Sequence, residues 1–262
     1  MMHAWERKIV RVGALLLIVG ALLFVGVLAL NGFNFDRFAR AVSYKRTTYS
    51  PEGVFERLDV SVVNADVRLQ PAQDGTCRVI CDESGRGAYT VEVQDGLLMV
   101  RCESHWYDSI GINLSELELT LVLPEKEYAQ ALIHSVSGDV DVGRLHIDAL
   151  AIDTTSGEIG LENLTLGSLN VETVSGDVVV LDSVALGDVS IRTTSGEIEL
   201  DNADGANFEI TTVSGDVEGT LRSGKEFSIR SVSGDISAPE STPGGGAFSA
   251  STTSGEVKIG VK

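Results

Sequence analysis

The stretch TVSGDV at residues 173–178 decides the fold, because the chain carries seven hexapeptides of nearly this form. The other six are SVSGDV at 135–140, TTSGEI at 154–159 and 193–198, TVSGDV at 212–217, SVSGDI at 231–236 and TTSGEV at 252–257. Their glycines lie 19, 19, 20, 19, 19 and 21 residues apart along the chain. A fixed period of this length indicates a repeat architecture in which each unit is one turn of a stacked structure.

Around each repeat glycine, apolar residues recur with a period of two, which is the period of a β-strand. The positions seven and five before the glycine are apolar, the position three before is Ser or Thr, and the position two after is Val or Ile. We expect the glycine to take a backbone conformation that a Cβ would forbid and so to form a bend. Each unit then reads as strand, corner, strand and return loop, which is too short for a crossover helix.

These patterns predict an all-β fold, a single-stranded parallel β-solenoid (β-helix) with coils of ~19–20 residues. Each coil is expected to stack on the previous one at ~4.8 Å, so that equivalent residues form ladders. Aliphatic side chains would fill the interior, and Phe208, Phe227 and Phe248 would stack on one another. The Ser/Thr hydroxyls would point inward near the corner and bond to backbone groups there.

Residues 131–262 hold the regular repeats, whereas residues 54–130 are rich in strand patterns but less regular. The strands predicted in the irregular part are 58–62, 79–81, 91–100 and 117–123. Asp95-Gly96 predicts a hairpin turn, and the segment Asn-Ala-Asp-Val at 64–67 reads as a degraded copy of Ser-Gly-Asp-Val. Because terminal repeats are usually atypical, we expect this part to form the cap and the first coils.

An apolar segment, VGALLLIVGALLFVGVLAL, occupies residues 12–30 after a short N-terminal tail at 1–11. At a rise of ~1.5 Å per residue it would span ~28 Å, close to the hydrocarbon thickness of a bilayer, so it predicts an N-terminal transmembrane α-helix. A cleaved signal peptide is the alternative, although its apolar core is normally shorter. Residues 31–53 are expected to form a juxtamembrane linker, which Pro51-Glu52-Gly53 ends before the first strand.

Charge divides the chain, because residues 1–46 contribute +5 and residues 47–262 contribute −23 to the formal charge of −18. Basic residues flank the apolar segment on both sides, so charge alone does not decide the topology. A short tail followed by a long domain is typical of a single-pass anchor that translocates its C-terminal part. We therefore expect the C-terminal domain outside the cytoplasm, at the cell membrane. The acidity excludes nucleic acid as a partner, since binding it needs a basic surface.

An acidic residue follows every repeat glycine, and the seven are Asp139, Glu158, Asp177, Glu197, Asp216, Asp235 and Glu256. In a stacked solenoid these carboxylates would form a stripe and would repel one another unless cations screened or bridged them. Two hypotheses stay open: a weak Ca²⁺ or Mg²⁺ stripe, or a solvated corner that keeps the coils soluble. The unit lacks the G-G-x-G-x-D pattern of calcium-binding repeats.

The sequence predicts no catalytic residue and no cofactor. Its periodic carboxylates occur once per coil, whereas an enzyme that cleaves polysaccharides on a β-helix groups them in a groove. His134 and His146 lack an evident Ser or Cys nucleophile partner. Cys77, Cys81 and Cys102 match no zinc-site spacing, and their odd number allows at most one intramolecular disulfide. We expect all three to be small apolar residues of strands.

The combination of Leu-Val-Leu-Pro at 121–124, tandem S-x-S-G-[DE]-[VI] units and an N-terminal anchor resembles the bacterial "putative adhesin" domain family of unknown function. The resemblance covers roughly residues 54–262. It implies a β-solenoid on the bacterial cell envelope, often with a single membrane pass, and it implies no catalytic residues.

The sequence therefore predicts a membrane-anchored binding or scaffolding module whose partner is an envelope polymer or protein, since a repetitive face suits repetitive ligands. A carbohydrate-active enzyme is one alternative, and it would need convergent carboxylates that break the ladder. Self-association into a structural envelope assembly is another, because the ends of a solenoid expose strand edges.

Overall fold

The structure is a computed structural model that describes residues 44–84, 89–102 and 117–262. The tail 1–11, the predicted transmembrane helix 12–30 and the linker up to residue 43 lie outside the described residues. Within the described ranges, no helix is long and apolar enough to cross a membrane. These ranges are built of strands and their connections, which confirms the all-β prediction.

The N-terminal part contains β1 (Tyr44–Tyr49), β2 (Arg57–Ser61), β3 (Ala65–Pro71), β4 (Arg78–Ser84), β5 (Tyr89–Gln94), β6 (Leu97–Cys102) and β7 (Leu117–Leu123). The first repeats contain β8 (Glu127–His134), β9 (Val140–Gly143), β10 (His146–Asp153), β11 (Ile159–Glu162), β12 (Thr165–Glu172), β13 (Val178–Leu181) and β14 (Val184–Ala185). The last repeats contain β15 (Asp188–Arg192), β16 (Ile198–Ala203), β17 (Asn207–Thr211), β18 (Val217–Leu221), β19 (Glu226–Ser233), β20 (Ile236–Ser237), β21 (Ala247–Ser254) and β22 (Val257–Val261).

The strands form two sheets, and each repeat contributes one strand to each of them. Sheet A has the order β1-β4-β7-β3-β9-β11-β13-β16-β18-β22-β20. Sheet B has the order β19-β21-β17-β15-β12-β10-β8-β2-β6-β5, and β14 pairs with β12 beside it. Pairing within the repeats is parallel and follows the sequence period, so that Leu150 lies opposite Ala131 on one side and Leu169 on the other. This is the parallel stacking that the glycine period predicts.

The interior is filled by ladders of apolar side chains from both sheets. The column five before the glycine, which includes Ile133, Ile152 and Ile191, is buried except for Ile229 of the outermost coil, and most of the Val/Ile column of sheet A is buried as well. Each fully buried aliphatic side chain contributes about 1.5–3 kcal/mol relative to exposure. Each inward-facing position of the repeat forms one ladder of stacked side chains. These ladders fill a narrow core that contains few aromatic rings.

The Ser/Thr column three before the glycine points inward, as predicted, and six of its members are buried: Ser135, Thr154, Thr173, Thr193, Thr212 and Thr252. In the first coils the hydroxyl bonds to the backbone, as when Thr154 Oγ1 donates to the carbonyl of Ser156 at 3.0 Å. In the middle of the stack the hydroxyls of Thr173, Thr193 and Thr212 have no partner among the described residues. The predicted bonding of the hydroxyls therefore holds only near the ends of the stack.

The repeat glycines are required by the close approach of successive coils. A Cβ on Gly157, Gly176, Gly196 or Gly215 would overlap the carbonyl oxygen of the glycine in the coil below. Among the seven repeat glycines, only Gly138 and Gly157 have a positive φ, at 110° and 113°. The prediction that every repeat glycine adopts a conformation forbidden to other residues is therefore wrong for the later coils. The cause there is contact between coils and not backbone conformation.

The return corner, on the other side of each coil, also repeats. Arg144, Asn163, Asp182 and Asn202 have φ between 49° and 56°, the left-handed region that Asn and Asp tolerate better than most residues. Side chains join neighbouring coils here, since Asn202 Nδ2 donates to Asp182 Oδ1 at 2.5 Å. These corners place β10, β12, β15 and β17 one layer above the preceding strand of sheet B.

The last repeat does not stack on the one before it. We number the repeats by their hexapeptides, so that β17 and β18 belong to coil five, β19 and β20 to coil six, and β21 and β22 to coil seven. In space β21 lies between β17 and β19, and β22 lies between β18 and β20. Coil seven is thus inserted between coils five and six, and the prediction that each coil stacks on the previous one is wrong here.

The phenylalanine stack follows this inserted order. The ring of Phe248 lies between those of Phe208 and Phe227, with centroid distances of 5.4 Å to each. Phe248 is fully buried, whereas Phe227 of coil six is only partly buried. Because coil six is the outermost layer, its apolar residues Val232 and Ile236 are exposed.

At the N-terminal end the solenoid is closed by antiparallel strands. β4 pairs with β7 and β1 pairs with β4 in sheet A, and β5 pairs with β6 in sheet B. The sequence places the first strand after Gly53, but β1 precedes Pro51, so part of the linker belongs to the sheet. Asp95 and Gly96 both have positive φ, which confirms the predicted hairpin turn between β5 and β6.

The degraded copy at 64–67 is a true coil corner. Val67 lies opposite Val140 of the first repeat, and Asp66 Oδ1 accepts a hydrogen bond from the amide of Asp139 at 2.9 Å. The coil of β2 and β3 therefore adjoins the first repeat, and the coil of β6 and β7 lies outside it. Chain order and spatial order differ at both ends of the stack.

A buried ion pair holds the return loop that follows β18. Lys225 is almost fully buried, and its Nζ lies 2.9 Å from Asp204 Oδ1. The same carboxylate accepts hydrogen bonds from Ser223 Oγ and from the amide of Gly205, each at 2.9 Å. Burial alone would raise the pKa of Asp204, but these hydrogen bonds and the Lys225 charge outweigh it and keep the pKa below its ordinary value.

Replacing a middle glycine of the ladder should destabilise the protein strongly. We expect Gly196→Ala to lower the free energy of unfolding by about 2–4 kcal/mol, because its Cβ overlaps backbone that has no room to move. Equilibrium denaturation of the full chain in detergent micelles, followed by circular dichroism, measures the change. Gly143→Ala is the matched control: its Cβ would meet only an ordinary contact at 3.8 Å, so its effect should stay within about 0.5 kcal/mol. Equal effects of both substitutions would contradict the ladder.

Breaking the buried ion pair should cost stability in a pH-dependent way. Lys225→Met leaves the Asp204 carboxylate unpaired and should cost about 3–5 kcal/mol near pH 7. Because the pKa of Asp204 is lowered in the folded protein, the pair's contribution is present above the pKa of the unfolded chain, near 3.8, and is lost as the pH falls through the lower folded value. Denaturation curves at several pH values should therefore show the gap between wild type and variant closing in acid. The double variant Lys225→Met/Asp204→Leu should recover part of the loss, and a gap independent of pH would refute this assignment.

Candidate functional site: the corner ridge

The hexapeptide corners stack into one continuous surface, which we call the corner ridge. It consists of the residues two before, one before and one after each repeat glycine, together with the equivalent residues Val63, Asn64 and Asp66 of the coil below the first repeat. In spatial order its first column is Val63, Val136, Thr155, Val174, Thr194, Val213, Thr253 and Val232. Its acidic column, in the same order, is Asp66, Asp139, Glu158, Asp177, Glu197, Asp216, Glu256 and Asp235. The structure thus brings all seven predicted carboxylates onto one edge.

Both columns alternate along the repeats with a period of two coils. Asp and Glu take turns, and each Asp coil carries Val where each Glu coil carries Thr. In chain order this alternation breaks between Asp216 and Asp235, and the insertion of coil seven between coils five and six restores it. The alternation is therefore a signal of coil order that the sequence contains and that the sequence-based prediction missed.

In the repeats, Asp side chains of the ridge accept hydrogen bonds from the backbone amide of the Glu in the next coil of the stack. Asp139 Oδ1 accepts a hydrogen bond from the amide of Glu158 at 2.8 Å. The same contact joins Asp177 to the amide of Glu197 at 2.8 Å and Asp216 to the amide of Glu256 at 2.7 Å. The short Asp side chain reaches the amide of the coil above, and no ridge Glu makes such a bond within the described residues. The Asp carboxylates are thus structural acceptors, and the Glu carboxylates are directed to solvent.

The valines give the ridge an apolar component. Val136, Val174 and Val213 are 51%, 49% and 49% exposed, and Val232 on the outermost coil is 82% exposed. They lie two coils apart, which corresponds to ~9.6 Å at the usual strand spacing. Half-exposed valines at a regular spacing beside carboxylates form an amphipathic strip that can contact an extended partner along the solenoid axis.

An acidic depression adjoins the ridge on the outer face of sheet A. It has a volume of about 560 Å³ and is lined by Glu197, Glu199, Asp201, Glu218 and Lys258, among others. Glu199 and Glu218 are register partners on β16 and β18. Partial burial, and then the neighbouring carboxylates, Glu218 foremost, raise the pKa of Glu197. The depression therefore favours a cationic occupant. Glu199 and Glu218 were not predicted, because the outward-facing column to which they belong changes residue type from coil to coil.

The seven carboxylates form a stripe along the ridge, but they are spaced one per coil and not clustered. Within the residues that the structure describes, no three His, Cys, Asp or Glu side chains are grouped closely enough to hold a metal ion. One carboxylate per coil, with the Asp members bonded to backbone amides, offers few free oxygens to a bridging cation. This arrangement favours the second hypothesis, a solvated acidic corner.

The other residues singled out in the sequence lie away from the ridge. His134 is exposed at the end of β8, and its Nδ1 lies 3.8 Å from Asp153 Oδ2. Cys81 and Cys102 belong to β4 and β6 and Cys77 just precedes β4, and all three thiols are free. Burial raises the pKa of Cys81 to about 12 and that of Cys77 to about 11. Neither is a thiolate at neutral pH, so neither is an activated nucleophile.

Several solved structures of bacterial proteins align with most of this chain. A "putative cell adhesion protein" from Clostridium sporogenes shares 12% sequence identity over 84% of this chain and 100% of its own, with a TM-score of 0.41. A "putative adhesin" from Bacteroides fragilis shares 14% identity over 83% and 97% of the two chains, with a TM-score of 0.43. A "putative lipid binding protein" from Parabacteroides distasonis shares 13% identity over 83% and 97%, with a TM-score of 0.39. No curated protein matches the chain.

A protein-family model matches the part of the chain that contains the repeats. The model described as Toastrack DUF4097 matches residues 55–262, which include every coil of the solenoid and the whole corner ridge. This region also carries the resemblance to the bacterial adhesin-like domains, which is thereby confirmed. The chain belongs to the Toastrack DUF4097 family.

Proposed function

We propose that this protein is a single-pass membrane protein that presents its solenoid outside the cytoplasm as a binding or scaffolding module of the bacterial cell envelope. The corner ridge carries the proposal, because it repeats one set of groups on successive coils. The partner we propose is an extended envelope polymer or protein segment with repeated basic groups. It would lie along the ridge, with its charges on the carboxylates and its apolar parts against the valines.

Three observations support this proposal. The ridge Glu carboxylates face solvent, the adjoining depression gathers further carboxylates around Glu197, and the domain from residue 47 onward carries a charge of −23. Burial, and after it the repulsion from neighbouring carboxylates, raises the pKa of Glu197 in the free protein, and a basic chain would relieve that repulsion. We do not propose catalysis, since the ridge carboxylates recur coil by coil as structural periodicity requires.

The anchor in this proposal is the apolar segment 12–30, and the basic charge of residues 1–46 beside it suits anionic headgroups. An acidic domain close to the same headgroups would be repelled by them, so it would stand away from the bilayer.

Site-specific cleavage tests the topology. A recognition sequence for a specific protease, inserted after Pro243 in the exposed loop 238–246, should be cut in intact spheroplasts at the rate seen after lysis. A cytoplasmic protein with the same sequence serves as the control and must stay uncut until lysis. Cleavage of the solenoid only after lysis would place the domain inside and refute the proposed location.

Binding of a basic probe tests the ridge. We expect the full chain in detergent micelles to bind a lysine heptapeptide, with affinity measured by calorimetry. The triple variant Glu158→Gln/Glu197→Gln/Glu256→Gln, which neutralises the solvent-facing Glu residues of the ridge, should weaken binding about tenfold, because each exposed charge pair contributes up to ~1 kcal/mol.

The matched control removes three exposed acidic residues from the outer face of sheet B instead, as Asp153→Asn/Glu172→Gln/Glu209→Gln. Its net charge changes equally, so a nonspecific attraction would weaken by the same factor in both variants. A loss of less than about threefold in the control supports the ridge. Equal losses, or no binding of the probe to the wild-type protein, would refute it.

A further inference from the structure

Coil seven, residues 247–262, is held by coils that are distant from it along the chain. β21 pairs with β17 and β19, and β22 pairs with β18 and β20. Coil seven thus fills a complete layer of both sheets. The two neighbouring coils together form a slot, which we define as the space between coils five and six that coil seven occupies.

Several contacts hold coil seven in the slot. Asp216 Oδ1 accepts the hydrogen bond from the amide of Glu256, and Asn207 Oδ1 accepts one from the amide of Ala247 at 3.0 Å. Phe248 lies between the rings contributed by coils five and six. At the corner a Cβ on the glycine of coil seven would overlap the backbone below it. All of these contacts are made within one layer of the stack, so a coil of the same sequence from a second copy can make them equally well.

The loop Ala238–Gly246, which connects coil six to coil seven, is suited to act as a hinge. It contains two prolines and three consecutive glycines, and most of it is exposed. Its hydrogen bonds to other segments all go to residues 225–227, at the start of β19 and just before it. The amides of Thr242 and Gly244 donate to the carbonyl of Lys225 at 2.8 Å and to Glu226 Oε1 at 2.9 Å, while Gly246 O and Ser241 Oγ accept from the amides of Glu226 and Phe227 at 2.7 and 3.0 Å. Fully extended, a loop of this length spans ~30 Å, enough to reach a neighbouring molecule.

We propose that coil seven is exchangeable between molecules, so that residues 247–262 of one copy occupy the slot of a second copy. An exchanged coil makes the same backbone pairs, glycine contacts and phenylalanine stack as the coil of the same chain. The two forms therefore differ only in the conformation of the loop, and the balance between them depends on protein concentration. A membrane that holds many copies side by side raises that concentration locally. The partner in this interaction is a second copy of this chain.

Cysteine cross-linking between two copies tests the exchange. Glu209 of β17 and Ser249 of β21 are exposed register partners in adjacent strands. Full-length Glu209→Cys and Ser249→Cys chains with different tags, produced in the same cells and purified together in detergent, are oxidised with a copper–phenanthroline reagent. Exchange predicts a disulfide-linked heterodimer whose yield rises with expression level.

The matched control pair is Asp153→Cys on one copy and Glu172→Cys on the other, which are exposed register partners on β10 and β12. Those strands lie in the middle of the stack and cannot exchange. We expect the test pair to give at least fivefold more heterodimer than the control pair and than the wild-type chain, whose native cysteines set the background.

Two further variants make the result decisive. The single-chain variant Glu209→Cys/Ser249→Cys should form the internal cross-link, which checks the register that the proposal requires. Deleting residues 240–243 should increase the heterodimer, because a shorter loop disfavours return of coil seven to its own slot. Heterodimer at the control level, while the single-chain variant cross-links internally, would overturn the proposal, as would failure of the internal cross-link. The outcome is independent of whether the ridge binds a basic probe.

Discussion

The close approach of backbone to backbone at the Ser-Gly corner is the constraint on which the rest of the structure depends. Hydrogen bonds between parallel strands fix the distance from coil to coil, and at that distance the carbonyl oxygen of one corner lies where the next corner would have a Cβ. Glycine satisfies this geometry in all seven repeats. Once glycine is in place, the residue after it must emerge at the surface and the residue three before it must point inward. The acidic column and the Ser/Thr column are both consequences of that one contact.

The period and the direction of each column could be predicted because both are local properties of the sequence. A spacing of two residues assigns Ile152 to the core and a spacing of 19 residues assigns it a partner in the next coil, whatever the rest of the chain does. The order of the last coils could not be predicted in this way. Coils six and seven present nearly the same columns, so either one fits next to coil five. What distinguishes them is the alternation of Asp and Glu, which continues when Asp216 of coil five accepts its hydrogen bond from the amide of Glu256 of coil seven.

The candidate site was predictable in part for the same reason. The seven ridge carboxylates belong to a column and were found together, whereas Glu199 and Glu218 lie in an outward column that varies from coil to coil. Their convergence depends on which coils are neighbours and on the local shape of sheet A. The strand Tyr44–Tyr49 shows a similar limit: it is polar and short, and only its pairing with β4 makes it part of the cap.

The position of coil seven has a consequence for biosynthesis. Coil seven is made after coil six, yet it forms an interior layer of the stack, with β19 and β20 of coil six outside it. Coils one to five can assemble in the order in which they emerge from the ribosome, but coil six has no layer to pair with until residues 247–262 have also emerged. In a Toastrack domain built in this way, the last two layers therefore assemble out of chain order, and a chain interrupted after coil six lacks the layer that joins coil six to the stack.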